Sequence, residues 1–165
     1  WRSDISINNS YVNTENLKKV LDSYKKLKQE KKFSGISESL LTSLALQNGN
    51  NWELNLFIAN ETGSDETDEL VGSLVTVRYG DTSIYLIGTT NLKGRKLNAN
   101  YTLLWEAILN AKNQGCRWFD IGGLDKTTPA GIAHFKKGLN ANPYALIGEW
   151  RLFNFSWDRI KNYFN

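Results

Sequence analysis

The sequence predicts an α/β fold in which a mixed, mostly antiparallel sheet carries helices on both faces. Three observations lead there. Residues 52–59, 70–79 and 82–90 are consecutive segments of period-two alternation, the last two joined by Gly80-Asp81. Residues 15–31 and 99–114 carry apolar stripes at helical spacing. The strand–helix–strand run over 82–121 implies a right-handed parallel crossover, and a sheet built that way is covered most economically by helices on both sides.

The first segment, 5–8, reads as a short strand. Thr14 is placed to cap a helix over 15–31, with Leu17, Leu21, Tyr24 and Leu27 on its apolar side. Phe33-Ser34-Gly35-Ile36 interrupts it, and Ser37 caps a second helix that stops near Asn48-Gly49. In 52–59, Trp52, Leu54, Leu56 and Ile58 share one face. In 70–79, Val71, Val75 and Val77 share one face and Leu70 and Leu74 the other. In 82–90, Ile84, Leu86 and Gly88 alternate with Tyr85 and Ile87. Gly80-Asp81 suits a two-residue hairpin turn of the glycine-first kind.

The stretch 60–69 reads as a polar, acidic hairpin tip, and 91–98 as a polar lead into the next helix. That helix, 99–114, shows Tyr101, Leu104, Trp105, Ile108 and Ala111 as its stripe, with Trp105 in the core and Gly115 as a left-handed cap. A strand over 116–121 ends at Gly122-Gly123. Pro129 opens a short helix to Lys137 that Gly138 closes, 144–153 alternates as a last strand, and Ser156 caps a terminal helix.

Composition sets bounds. With 165 residues, 41 % apolar and 22 % charged, the chain fits one domain over 1–165 with a real core, and is neither disordered nor collagen-like. The net charge of +3, from 20 basic and 17 acidic residues, is too small to indicate nucleic acid by itself. It is unevenly spread: basic over Lys18–Lys32, acidic from Glu61 to Glu69, and basic again at Lys93, Arg95 and Lys96 and at Lys136 and Lys137. The first cluster is expected to be solvated surface.

A lone Cys116 allows no intramolecular disulfide, and nothing argues for an oxidising compartment. No apolar run approaches the roughly 20 residues of a membrane span. The start, Trp1-Arg2-Ser3-Asp4, is no signal peptide, and the absence of Met leads us to expect a piece of a larger chain with a partner domain upstream.

Four pieces, in order and at consistent spacing, carry a family resemblance. They are Trp105-Glu106-Ala107-Ile108 on a helix, the strand Trp118-Phe119-Asp120-Ile121-Gly122-Gly123, Phe135-Lys136-Lys137-Gly138 on a short helix, and Gly148-Glu149-Trp150. The chain resembles the C-terminal half of the Fem-type peptidoglycan-bridge aminoacyltransferases, over roughly residues 14–153. That resemblance implies the GNAT acyltransferase fold, with the fourth and fifth strands splayed. It implies transfer of an amino acid from aminoacyl-tRNA to an amine of a peptidoglycan precursor, in the cytoplasm. No metal or redox cofactor is implied, because the tRNA ester is already activated.

Candidate site residues follow. Lys136 matches the lysine after Phe in the family motif, where a fixed cation would stabilise charge building on a carbonyl oxygen or hold a phosphate. Lys137 points about 100° away from it on a helix. Asp120, before the glycines, either takes a proton from the attacking amine or bonds the amides of the Gly122-Gly123 turn. The glycines allow a tight turn or close ligand approach. Tyr85 matches the position where family members turn an aromatic toward the substrate cleft.

Lys93 and Arg95 precede a helix N-terminus and attract phosphate, but the loop lacks the Arg-x-x-Gly-x-Gly-or-Ala pattern that GNAT enzymes use for acetyl-CoA. The Phe33–Ser37 segment lacks the arginine that contacts nucleotide diphosphate in precursor-binding members. A lone His134 and Cys116 make no zinc site, and no G-x-S-x-G elbow is present. Two alternatives stand beside the Fem reading: another N-acyltransferase using acyl-CoA, and a non-catalytic binding domain on the same fold.

Overall fold

A computed structural model describes residues 5–10, 13–33, 35–47, 49, 51–62, 70–124, 126 and 128–148. They fall into two units, residues 1–125 and residues 126–165.

The first unit holds a five-stranded sheet in the order β1 (Ile5–Ser10), β2 (Trp52–Glu61), β3 (Leu70–Tyr79), β4 (Thr82–Thr90) and β5 (Trp118–Asp120). The first four strands are antiparallel neighbours, and β5 joins β4 in parallel, as the crossover reading requires. Gly80 has φ +54° and Asp81 does not share that positive φ, which is the glycine-first turn expected between β3 and β4.

Helices α1 (Thr14–Lys31) and α2 (Glu38–Leu46) cover one face. Leu17, Val20, Tyr24, Leu41 and Ala45 pack there on Leu54, Leu56, Ile58, Val75 and Ile87. Asn13, not Thr14, is the cap of α1: its side chain accepts from the Asn16 amide at 2.7 Å. Ser37 caps α2 as expected, accepting from Leu40 at 3.2 Å. Each such cap is worth about 1 kcal/mol. A chain of hydroxyls also seats α1 on the sheet. Ser23 donates to Thr89 at 2.9 Å, and Thr89 and Ser73 are bonded at 2.7 Å.

The other face belongs to α4 (Ala99–Asn113). Its buried residues are Ala99, Leu103, Leu104, Ala107 and Ala111. This corrects the expected stripe by one helical position: Tyr101 is 52 % and Trp105 60 % exposed. Alanines at 99, 107 and 111 let the helix lie close to the strands, where Trp105 would hold it away. The sheet answers in kind at Gly72, where an added β-carbon would come within 3.1 Å of Leu103 Cδ1 and 3.2 Å of the Thr89 carbonyl. The helix ends in a Schellman turn, with Gly115 at φ +83°, its amide bonded to Lys112 O at 3.0 Å and Cys116 N to Ala111 O at 2.9 Å.

Two register shifts revise the strand readings. Asn60 pairs with Leu70 while Ala59 pairs with Gly72, so Val71 is the extra residue and Leu70 packs on the α1 side with Val75 and Val77. In β4, Val75 pairs with Ile87 and Thr76 with Tyr85, so Leu86 is extra and the expected alternation breaks there. The polar stretch 91–98 contains a short helix, α3 (Leu92–Lys96). The last strand of the sheet is three residues rather than the expected six.

The second unit contains α5 (Ala130–Gly138), with Pro129 at its N-cap position; its left-handed exit is at Asn140 (φ +52°) rather than Gly138. Residues 141–148 form no strand and are exposed. The remainder of the expected strand, the terminal helix and the acidic segment 63–69 lie outside the described residues.

Candidate active site: the opening between the fourth and fifth strands

β4 is nine residues long, yet it pairs with β5 only through Thr82–Trp118, Ser83–Phe119 and Ile84–Asp120. The join is pinned at one end. The Asp81 carbonyl accepts from the amides of Arg117 (2.8 Å) and Trp118 (3.2 Å), and its carboxylate pairs with Arg117 Nε at 2.6 Å. That guanidinium holds the Asp81 carboxyl below its usual range. Past Ile84 the bulge at Leu86 turns β4, and past Asp120 the chain leaves through Gly122 at φ +78°. The two strands are thus joined at their starts, and the β4–β5 pairing ends at Ile84 and Asp120. The positions that follow the pairing are Tyr85 on β4 and Ile121–Gly123 after β5.

Tyr85 stands at the first position beyond the pairing. The bulge brings it to the same face as Gly88, where a β-carbon would overlap its hydroxyl. Burial pushes its phenol up to about 12, so it stays protonated at neutral pH and keeps a hydrogen to donate. Asp120 Oδ1 accepts from the Gly122 amide at 2.7 Å, the turn-holding geometry named above. Gly123 has open space where a side chain would project, which leaves its backbone approachable.

Lys93 and Arg95 lie on α3. Lys93 pairs with Glu61, and Arg95 is exposed. The amides expected to cradle phosphate are largely engaged within the chain. Gly94 N donates to Asn91 Oδ1 at 2.7 Å, Arg95 N to Asn91 O at 3.1 Å, Leu97 N to Lys93 O at 3.0 Å and Asn98 N to Arg95 O at 3.1 Å. Gly94 is also pressed against β3, where a β-carbon would overlap the Val71 carbonyl.

Lys136 and Lys137 lie on α5 in the second unit. Lys136 is half-buried, on the side shared with Ala133, Phe135 and Leu139, while Lys137 and His134 are exposed. Among the described residues no cluster of His, Cys, Asp and Glu could hold a metal, and no helix is long and apolar enough to cross a membrane. The sequence reading missed the bulge and the Asp81–Arg117 tie. Nothing in a local pattern signals a pair 36 residues apart.

A family model described as the FemAB family matches residues 8–156. The chain belongs to the FemAB family. No curated protein sequence matches it. Solved structures place its fold among the GNAT acyltransferases. FemX superposes with a TM-score of 0.65 at 14 % identity, covering 82 % of this chain and 50 % of FemX. An aminoglycoside acetyltransferase from an uncultured soil metagenomic sample, solved with sisomicin, gives 0.61 at 14 % identity over 90 % of this chain and 97 % of its own. A GNAT-family acetyltransferase from Staphylococcus aureus gives 0.59 at 16 %, over 82 % and 83 %. This FemAB chain has the fold of the GNAT acyltransferases.

Proposed function

We propose that this FemAB-family chain is the C-terminal half of a two-domain cytoplasmic aminoacyltransferase. It moves an amino acid from aminoacyl-tRNA to an amine of a peptidoglycan precursor. The observation that carries the reading is the family match over residues 8–156. FemX, of which this chain spans half, supports the two-domain part.

In this reading the acceptor amine attacks the ester carbonyl of the aminoacyl-tRNA. A carbon–nitrogen bond forms, the ester carbon–oxygen bond breaks, and the amine's proton ends on the departing ribose oxygen. Lys136 supplies the fixed cation for the carbonyl oxygen as charge builds there. Tyr85, held protonated, donates a hydrogen bond to substrate, and Gly122 and Gly123 admit it close to the backbone. Asp120 shapes that glycine turn. Lys93, Arg95 and Lys137 attract phosphate electrostatically. The engaged amides around Gly94 count against a CoA pyrophosphate at that loop.

The test is aminoacyl transfer from charged tRNA to a precursor peptide, using the full-length natural protein. Lys136→Ala is expected to lower the rate by about a hundredfold or more, and Lys137→Ala to change it little. Wild-type rates in Lys136→Ala would remove that residue from the chemistry. No transfer across a panel of charged tRNAs would move the assignment to another acyl donor.

A further inference from the structure

The α1–α2 segment carries a charge pattern that the transfer chemistry does not use. From Thr14 to Gln47 there are seven lysines against four acidic residues, a surplus of three, which equals the surplus of the whole chain. The rest of the sequence is therefore balanced, and the excess is concentrated on this helix pair. Two of the seven are neutralised locally: Lys19 by Glu15, and Lys28 by Glu38 at 2.9 Å. Lys18, Lys25, Lys26, Lys31 and Lys32 are exposed and have no ion-pair partner among the described residues. Lys18 and Lys25 fall on one line of the helix, roughly 10 Å apart.

The helix packed against α1 also exposes apolar side chains. The face of α2 turned away from the core presents Leu40, 50 % exposed, and Leu46, 79 % exposed, among Ser39, Ser43 and Gln47. The two helices form a fixed platform. Lys28 ties α1 to the first residue of α2, and Tyr24 packs edge-on to Phe33 with its hydroxyl against Gly35. A polyanion held by phosphates alone gains nothing from exposed leucines. A bilayer surface uses both features, because the cations meet anionic headgroups and the apolar tips enter the acyl boundary.

We propose that the outer face of α1 and α2 docks the protein on an anionic lipid surface, with Lys18, Lys25 and Lys26 on the headgroups and Leu40 and Leu46 inserted. The proposal does not depend on which acyl group is transferred.

It is tested by co-sedimentation of the chain with vesicles of phosphatidylcholine alone and of phosphatidylcholine mixed with phosphatidylglycerol. Binding to the mixed vesicles only, weakened by salt, is expected. The charge reversals Lys25→Glu and Lys26→Glu together should lower that binding by about tenfold or more, and Leu46→Ser should lower it separately. All three positions are exposed, so unchanged circular dichroism is expected to confirm folding. Equal or absent binding to both vesicle types overturns the proposal, as does wild-type binding by the lysine variant or by Leu46→Ser. Lysine-dependent binding to an RNA homopolymer without vesicle binding overturns it too, and assigns the ridge to nucleic acid.

Discussion

The hydroxyl of Tyr85 fills the space that a β-carbon would occupy at Gly88. The arrangement exists because one extra residue, Leu86, brings two positions three apart in a strand to the same face. Gly88→Ala should therefore displace the ring. We expect a loss of about 1–3 kcal/mol in stability and a fall in transfer rate larger than stability alone explains. Chemical denaturation and the transfer assay, run side by side, check this; full activity with a destabilised fold would separate Tyr85 from the site.

Gly94→Ala meets a harder obstacle. The added carbon would overlap the Val71 carbonyl, a backbone atom that cannot rotate aside. A loss of about 3 kcal/mol is expected, read as a lower urea midpoint with unchanged slope. A midpoint equal to wild type would show that α3 can lift off β3 at no cost.

Cys116 is half-buried, and burial pushes its thiol above the ordinary value. Because the thiolate is the nucleophile, alkylation at neutral pH should run several-fold slower than for a free cysteine. The rate–pH curve should be displaced to higher pH. A midpoint at or below that of a free thiol would contradict the packing around it.

Asp81 is held below its usual range by the hydrogen bond from Arg117. The folded value lies under the unfolded one, so its contribution is complete above the unfolded carboxylate pKa and is lost as pH falls through the folded value. Asp81→Asn should lower stability near neutral pH and leave the acid end little changed, which flattens that acid limb of the stability–pH curve. An acid limb as steep as wild type would assign it to other carboxylates.

Much of this architecture is legible in the chain. The hairpin at Gly80, the cap at Ser37 and the Schellman turn at Gly115 each rest on local backbone demands, so residue type announces them. The α4 stripe was misread because hydrophobicity favours Trp105 over Ala107, whereas close packing on Gly72 selects the smaller side chain. The bulges at Val71 and Leu86 escape because an extra apolar residue leaves the alternation plausible in either register. Asp120 was legible as a choice between two roles, and its bond to Gly122 is the contact that one of them requires.

The short seam between β4 and β5 has a mechanical meaning. Anchored at Asp81 and paired with β4 only as far as Ile84, the last strand is a short tenon in the edge of the sheet. Three residues carry the whole join, whereas β2, β3 and β4 hold one another along nearly their full lengths. A weakening of that join would fall on one end of one strand, and the rest of the sheet acts as its rigid mount.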